Sequence, residues 1–229
     1  MRTMALLTCV VMTGCFGAVG SGKDSTQTRD VGAFKKLSIQ SGVQATVTAG
    51  ARAVSITADD NLIDLVETVV ENDTLIVRVK PGLSVSTSRG LRATISNDVI
   101  EGVSASGGSV VTSPATATTS WRGEASGGST LTLSGLSTTT ATFTATGGST
   151  LNVGGQATDT TISASGGSTV TSTGLVTTKL TVDFTGGSIG RLRATNSVTG
   201  SASGGSTLTI TGAQSVMVDA SGGSTVTTN

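Results

Sequence analysis

Ala145-Thr146-Gly147-Gly148-Ser149-Thr150-Leu151-Asn152-Val153 sets two glycines between short stretches in which apolar and polar residues alternate. Alternation at period two marks a strand with one buried face. A Gly-Gly pair tolerates the positive φ needed where a strand turns sharply into the next. The same phrase recurs as Ala105–Ser109, Ala125–Ser129, Ala164–Ser168, Phe184–Ser188, Ala202–Ser206 and Ala220–Ser224, seven times in all. Its first glycines are 20, 20, 19, 20, 18 and 18 residues apart. A fixed period near twenty is the mark of a solenoid, whose units bury their apolar faces only against their neighbours.

The phase of the apolar residues supports that reading. Ala or Phe stands two before each first glycine, and Val103, Phe143, Ile162, Val182 and Val218 stand four before it. Ser, Thr, Asp or Glu fills the places between. After each pair come runs such as Thr130-Leu131-Thr132-Leu133 and Thr207-Leu208-Thr209-Ile210. A second turn is expected in each unit near Gly135, Gly154, Gly155, Gly174 or Gly212, giving two or three short strands per coil. The predicted fold is all-β, a parallel β-helix of 18–20 residues per coil. The Ala/Phe positions form one internal column and the serines after the glycines another. A disordered Ser/Thr-rich stalk would not hold this phase over seven units.

Three further segments complete the organisation. Residues 1–14 read as a signal peptide: Arg2, an apolar run from Met4 to Met12, then Thr13-Gly14 before Cys15. Val11-Met12-Thr13-Gly14-Cys15 resembles a bacterial lipobox, which implies lipidation of Cys15 and, with Phe16 rather than Asp following it, placement at the outer membrane. Residues 15–32 are rich in Gly, Ser, Thr and charge and read as a flexible tether. Residues 33–229 form one domain, with a more charged capping section at 33–101 and regular coils at 102–229. In the cap, Leu37–Ile39, Ala45–Val47, Ala53–Ile56 and Leu75–Val79 are strand-like, Glu71–Thr74 is a turn, and Leu62, Ile63, Val66 and Val69 have helical spacing. Such a cap would cover the first open edge of the solenoid.

Phe34-Lys35-Lys36-Leu37-Ser38-Ile39, Gly42-Val43, Asn61-Leu62-Ile63, Asn72-Asp73-Thr74-Leu75-Ile76-Val77 and the Gly-Gly-Ser coils together resemble the head GIN domain family of autotransporter-type adhesins. The resemblance runs from Phe34 to the end of the chain. It implies a β-helix in a bacterial envelope lipoprotein with an adhesive role.

Composition narrows the chemistry. Lys+Arg and Asp+Glu balance at 14 each, so nothing points to nucleic acid. There is no His, which removes the commonest general base and metal ligand. No catalytic, metal or cofactor site is expected. Gly17–Lys23 matches the front of a phosphate-binding loop, but Asp24 replaces the Ser/Thr that would hold magnesium and no strand precedes the glycines. Gly-Gly-Ser-Thr also lacks the Gly-x-Asp that completes a calcium roll.

Polysaccharide-processing β-helices need paired carboxylates. Glu124, Asp183 and Asp219 share an outward column, but they are three and two coils apart, roughly 14 and 10 Å. Glycosidic pairs lie about 5–5.5 or 6.5–9.5 Å apart.

Candidate binding residues remain. Thr130/Thr132, Thr169/Thr171 and Thr207/Thr209 would form two files on one face, like an ice-binding grid, interrupted where Ile189 and Arg191 stand. Trp121, the only Trp, could stack on a sugar ring or fill a gap in the stack. Arg191 and Arg193 share a strand face and could meet an anionic group. The expected partners are a membrane, through the lipid anchor, and a glycan or surface-protein ligand. The C-terminal coil has no recognisable cap, so self-association through its edge is also expected.

Overall fold

The computed structural model describes residues 16–229. The cap begins with β1 (Phe16–Val19), β2 (Asp24–Thr28), β3 (Lys36–Ile39), β4 (Val43–Thr48) and β5 (Ala53–Asp59). A 3₁₀ turn at Ile63–Leu65 leads into β6 (Val66–Glu71), β7 (Thr74–Val79), β8 (Leu83–Ser86) and β9 (Leu91–Ser96). The regular section comprises β10 (Gly102–Ala105), β11 (Val110–Pro114), β12 (Thr118–Ala125), β13 (Thr130–Ala145), β14 (Thr150–Ala164) and β15 (Thr169–Phe184). It ends with β16 (Ile189–Arg193), β17 (Ser197–Ala202), β18 (Thr207–Thr211), β19 (Ser215–Ala220) and β20 (Thr225–Thr228).

These strands build the expected parallel β-helix. One sheet face runs β6-β7-β3-β10-β12-β13-β14-β15-β17-β19, parallel throughout except for the β6–β7 hairpin. The other runs β2-β5-β9-β4-β11-β13-β14-β15-β16-β18-β20. The long strands β13, β14 and β15 serve both faces by bending through register shifts, between Leu133 and Leu136 and between Asn152 and Gly154. The second turn expected in each unit is therefore a bend within a continuous strand in these coils, and an open turn at Gly212 in a later one.

At each corner both glycines have positive φ, for example 64° and 74° at Gly147 and Gly148. Side chains other than Gly are costly in that region. The corners also stack through hydrogen bonds. The Gly108 amide donates to Gly127 O at 3.0 Å, and the pattern repeats down to Gly205 donating to Gly222 O at 2.9 Å.

Beneath the corners lie both predicted columns. Ala105, Ala125, Ala145, Ala164, Phe184 and Ala202 are buried, as are Ser109, Ser129, Ser149, Ser168, Ser188 and Ser206. A buried hydroxyl needs a partner, and these have one. Ser168 Oγ donates to Ser165 O at 2.8 Å and accepts the Ser149 amide at 3.3 Å. The next column is Val103, Gly123, Phe143, Ile162, Val182, Gly200 and Val218. Gly123 belongs there because a Cβ would come within 2.7 Å of the Phe143 ring.

The cap covers the first edge as expected. The chain doubles back, so that β7 and β9 lie outside β3 and β4, and the antiparallel strands β6, β5 and β2 close the stack. The helical spacing at Leu62–Val69 resolves into the 3₁₀ turn followed by β6, a strand that pairs with β7 across Asn72-Asp73.

One expectation is corrected. Residues 16–28 are not a flexible tether: β1 pairs parallel with β8 from Phe16↔Leu83 onward, and β2 pairs antiparallel with β5. Their composition misleads because these strands cover polar edges, with contacts such as Thr26 Oγ1 to Thr57 Oγ1 at 2.8 Å. Between them, Gly20–Lys23 fold over Asp59, whose side chain is fully buried. The Asp59 carboxylate accepts the Gly22 amide at 2.6 Å and the Thr87 hydroxyl. Gly20 allows this approach, since a Cβ there would overlap the carboxylate. The phosphate-loop look-alike is thus part of a carboxylate clasp. The Thr87 hydroxyl holds the Asp59 carboxyl below its ordinary range; burial pushes the other way, and the Gly22 amide and the Arg89 charge add to the lowering.

Candidate binding surface

Parallel register turns each sequence position into a row along the stack. On one face Val110, Thr130, Thr150, Thr169, Ile189, Thr207 and Thr225 form one file. Beside it run Thr112, Thr132, Asn152, Thr171, Arg191, Thr209 and Thr227. The structure therefore brings Thr130, Thr132, Thr169, Thr171, Thr207 and Thr209 together on one sheet. It also places Val110 (43% exposed) and Ile189 (39% exposed) as apolar breaks in the first file. Arg191 and Arg193 both project outward from β16 and are exposed. The two cations thus stand two residues apart on one exposed strand face.

Trp121 is corrected as a sugar-stacking residue. Its side chain is only 2% exposed, its indole Nε1 donates to Ile100 O at 2.9 Å, and its ring packs 6.1 Å from Phe143. It fills the interior where the cap meets the coils, leaving no free ring face for a ligand.

The acid column has the expected order: Glu124, Thr144, Ser163, Asp183, Ser201, Asp219. Glu124 is held by Arg122 through a 2.7 Å hydrogen bond, and Asp183 accepts the Ser201 hydroxyl at 3.0 Å. Spacers between the acids leave no carboxylate pair at glycosidic separation along this row. Among the described residues, no group of three or more His, Cys, Asp or Glu is arranged to hold a metal ion.

A feature missed in the sequence lies beside that column. Lys36, Gly102 and Arg122 are consecutive in one row. The bare glycine leaves a notch of about 180 Å³ between the Lys36 and Arg122 side chains, lined also by Ser38, Thr74, Ser104 and Glu124, the carboxylate paired with Arg122. The only sequence signal was a glycine at an outward position; recognising it required knowing that Lys36 pairs across to residue 102. The lipidation candidate Cys15 lies outside the described residues.

A capped parallel β-solenoid with regular outward rows is the class these observations define. The chain belongs to the family described as putative auto-transporter adhesin, head GIN domain, whose model matches residues 33–214. Solved structures share the fold. A putative adhesin from Bacteroides fragilis has a TM-score of 0.79 at 16% identity, over 92% of this chain and 99% of that one. A putative adhesin from Parabacteroides merdae has a TM-score of 0.70 at 17% identity, over 93% and 99%. A structure named as a putative lipid binding protein from Parabacteroides distasonis gives 0.70 at 12%, over 93% and 99%. No curated protein matches the sequence.

Proposed function

We propose that this protein is a non-enzymatic envelope lipoprotein, anchored through Cys15 at the outer membrane, whose β-helix presents a binding surface for a glycan or a surface protein. The observation that carries the reading is the set of outward rows repeated coil after coil, with acids kept apart by Ser and Thr spacers. Such a surface suits repeated weak contacts with an extended ligand better than chemistry at one point. The family name is in accord with this role. Arg191, Arg193 and Lys36 are the cations available for acidic groups on the ligand, whereas Arg122 is already paired with Glu124.

The test is a glycan and matrix-protein array probed with residues 16–229. Arg191→Glu/Arg193→Glu and Lys36→Glu/Arg122→Glu variants are run beside it. Binding of a defined ligand class that is lost in either pair supports the reading. Hydrolysis of a polysaccharide would replace it with a processing enzyme, and inhibition of ice recrystallisation would replace it with an ice-binding grid.

A second reading rests on the last coil. Strands β19 and β20 each have a strand partner on one side only, and Met217 is 66% exposed beside half-buried Val216 and Val218. We propose that this edge pairs with its counterpart in a second copy. Light scattering showing concentration-dependent dimers, abolished by Met217→Lys, supports it; a strict monomer over a wide concentration range excludes it.

A further inference from the structure

The clasp changes what an anchor at Cys15 would do. Phe16 is bonded to Cys15 and is already paired with Leu83. One residue spans about 3.8 Å between Cα atoms, so there is no slack between the anchored residue and the folded body. Every following segment is also tied. The Gly20 amide donates to Ser86 O at 2.8 Å, Asn61 Nδ2 donates to Val19 O at 2.8 Å, and the Asp60 amide donates to Lys23 O at 2.8 Å.

Because β1 and β8 are parallel, the start of β8 lies beside the start of β1. The residues next to the anchor are therefore the turn that enters β8. Lys80-Pro81-Gly82-Leu83 has Pro second, Gly third with φ of 82°, and the Leu83 amide donating to Lys80 O at 3.2 Å. That is a type II turn. Its base is fixed by the Lys80 amide, which donates to Leu65 O at 2.9 Å. All four residues are exposed, including Leu83 at 38%. A rigid turn tipped with Pro and Leu and flanked by a lysine fits the boundary between lipid phosphates and acyl chains.

We propose that the Lys80–Leu83 turn is a second membrane contact, seating Leu83 and the Lys80 ammonium in the phospholipid headgroup layer beside the anchor. The proposal rests on the lipidation of Cys15 given above. It makes the cap the membrane-proximal end of the solenoid and holds it against the bilayer instead of on a leash.

The test uses the full-length protein, produced in an acylating bacterium and returned to vesicles of phosphatidylethanolamine and phosphatidylglycerol. Mass spectrometry of the N-terminal peptide reports whether Cys15 carries lipid. A nitrobenzoxadiazole dye on Leu83→Cys is compared with the same dye on Thr227→Cys in the last coil, with headgroup spin-labelled phospholipid as quencher. Quenching several-fold greater at 83 than at 227, and reduced by Lys80→Glu, is expected. An acylated protein quenched equally at both positions overturns the turn contact and leaves the anchor standing. An unmodified Cys15 overturns both.

Discussion

At each corner the two glycines have the same handedness but different surroundings. Gly204 has φ of 63°, and a Cβ there would lie 3.0 Å from the Gly186 amide nitrogen of the preceding coil. Gly205 has φ of 77° and nothing within 4 Å. Either Gly→Ala change should cost about 1–2 kcal/mol for the left-handed backbone, and Gly204→Ala should cost more than Gly205→Ala. Denaturant midpoints at unchanged m-value check the order. Ser168→Ala removes both a donor to Ser165 O and the acceptor of the Ser149 amide, which should cost about 1–3 kcal/mol because buried partners are left unmade. Trp121→Ala should cost about 3–5 kcal/mol as a core truncation. In the wild type, blue-shifted Trp emission that moves red on unfolding reports the burial of that ring. Asp59 carries a pH signature. Its folded pKa lies below the ordinary value of 3.8, so its contribution is complete at neutral pH and disappears as pH falls through the acid range toward the lowered value. Asp59→Asn should therefore narrow the gap in thermal midpoint between pH 7 and pH 3.

At the scale of the element, the coil is the unit of stability. Removing residues 127–146, one whole repeat, joins Ser126 to Gly147 and should preserve β circular dichroism and a cooperative transition. Removing half as many residues destroys the register and should not fold. The coils were legible in the sequence because the glycine pair fixes phase and Ala, Val and Leu stay in step with it. The glycines at 123 and 200 were not legible as core positions, since their meaning lies in Phe143 and Val182 on the neighbouring coil. The strands of residues 16–28 were illegible for a related reason: Thr26 and Gln27 pair with residues about thirty positions further on, and no local periodicity reports such a partner. Trp121 was readable only as two alternatives, because an aromatic in an irregular insert carries no face of its own until the Ile100 carbonyl is in place.

For the whole molecule, the two ends differ in construction. The first is closed by antiparallel strands and the Asp59 clasp, the last by a coil whose strands have one neighbour each. Hydrogen exchange should therefore be slow for the amides of β5 and β9, which have strand neighbours on both sides, and fastest in β19 and β20. The candidate surface was legible only as lists of positions. Which threonines stand side by side, and that Lys36 and Arg122 flank an empty place, follow from register, and register in the cap depends on the chain doubling back.

The hydrogen bonds that join one coil to the next run along the solenoid axis. A tug between a captured ligand at the far end and a fixed first residue would load those bonds one row at a time, peeling the molecule instead of shearing it. Single-molecule extension should then show a staircase, each step releasing 18–20 residues, roughly 60 Å of slack, with the clasped end yielding last. A cell held in flowing liquid by such a molecule would be on a shock absorber that lengthens by increments before it lets go.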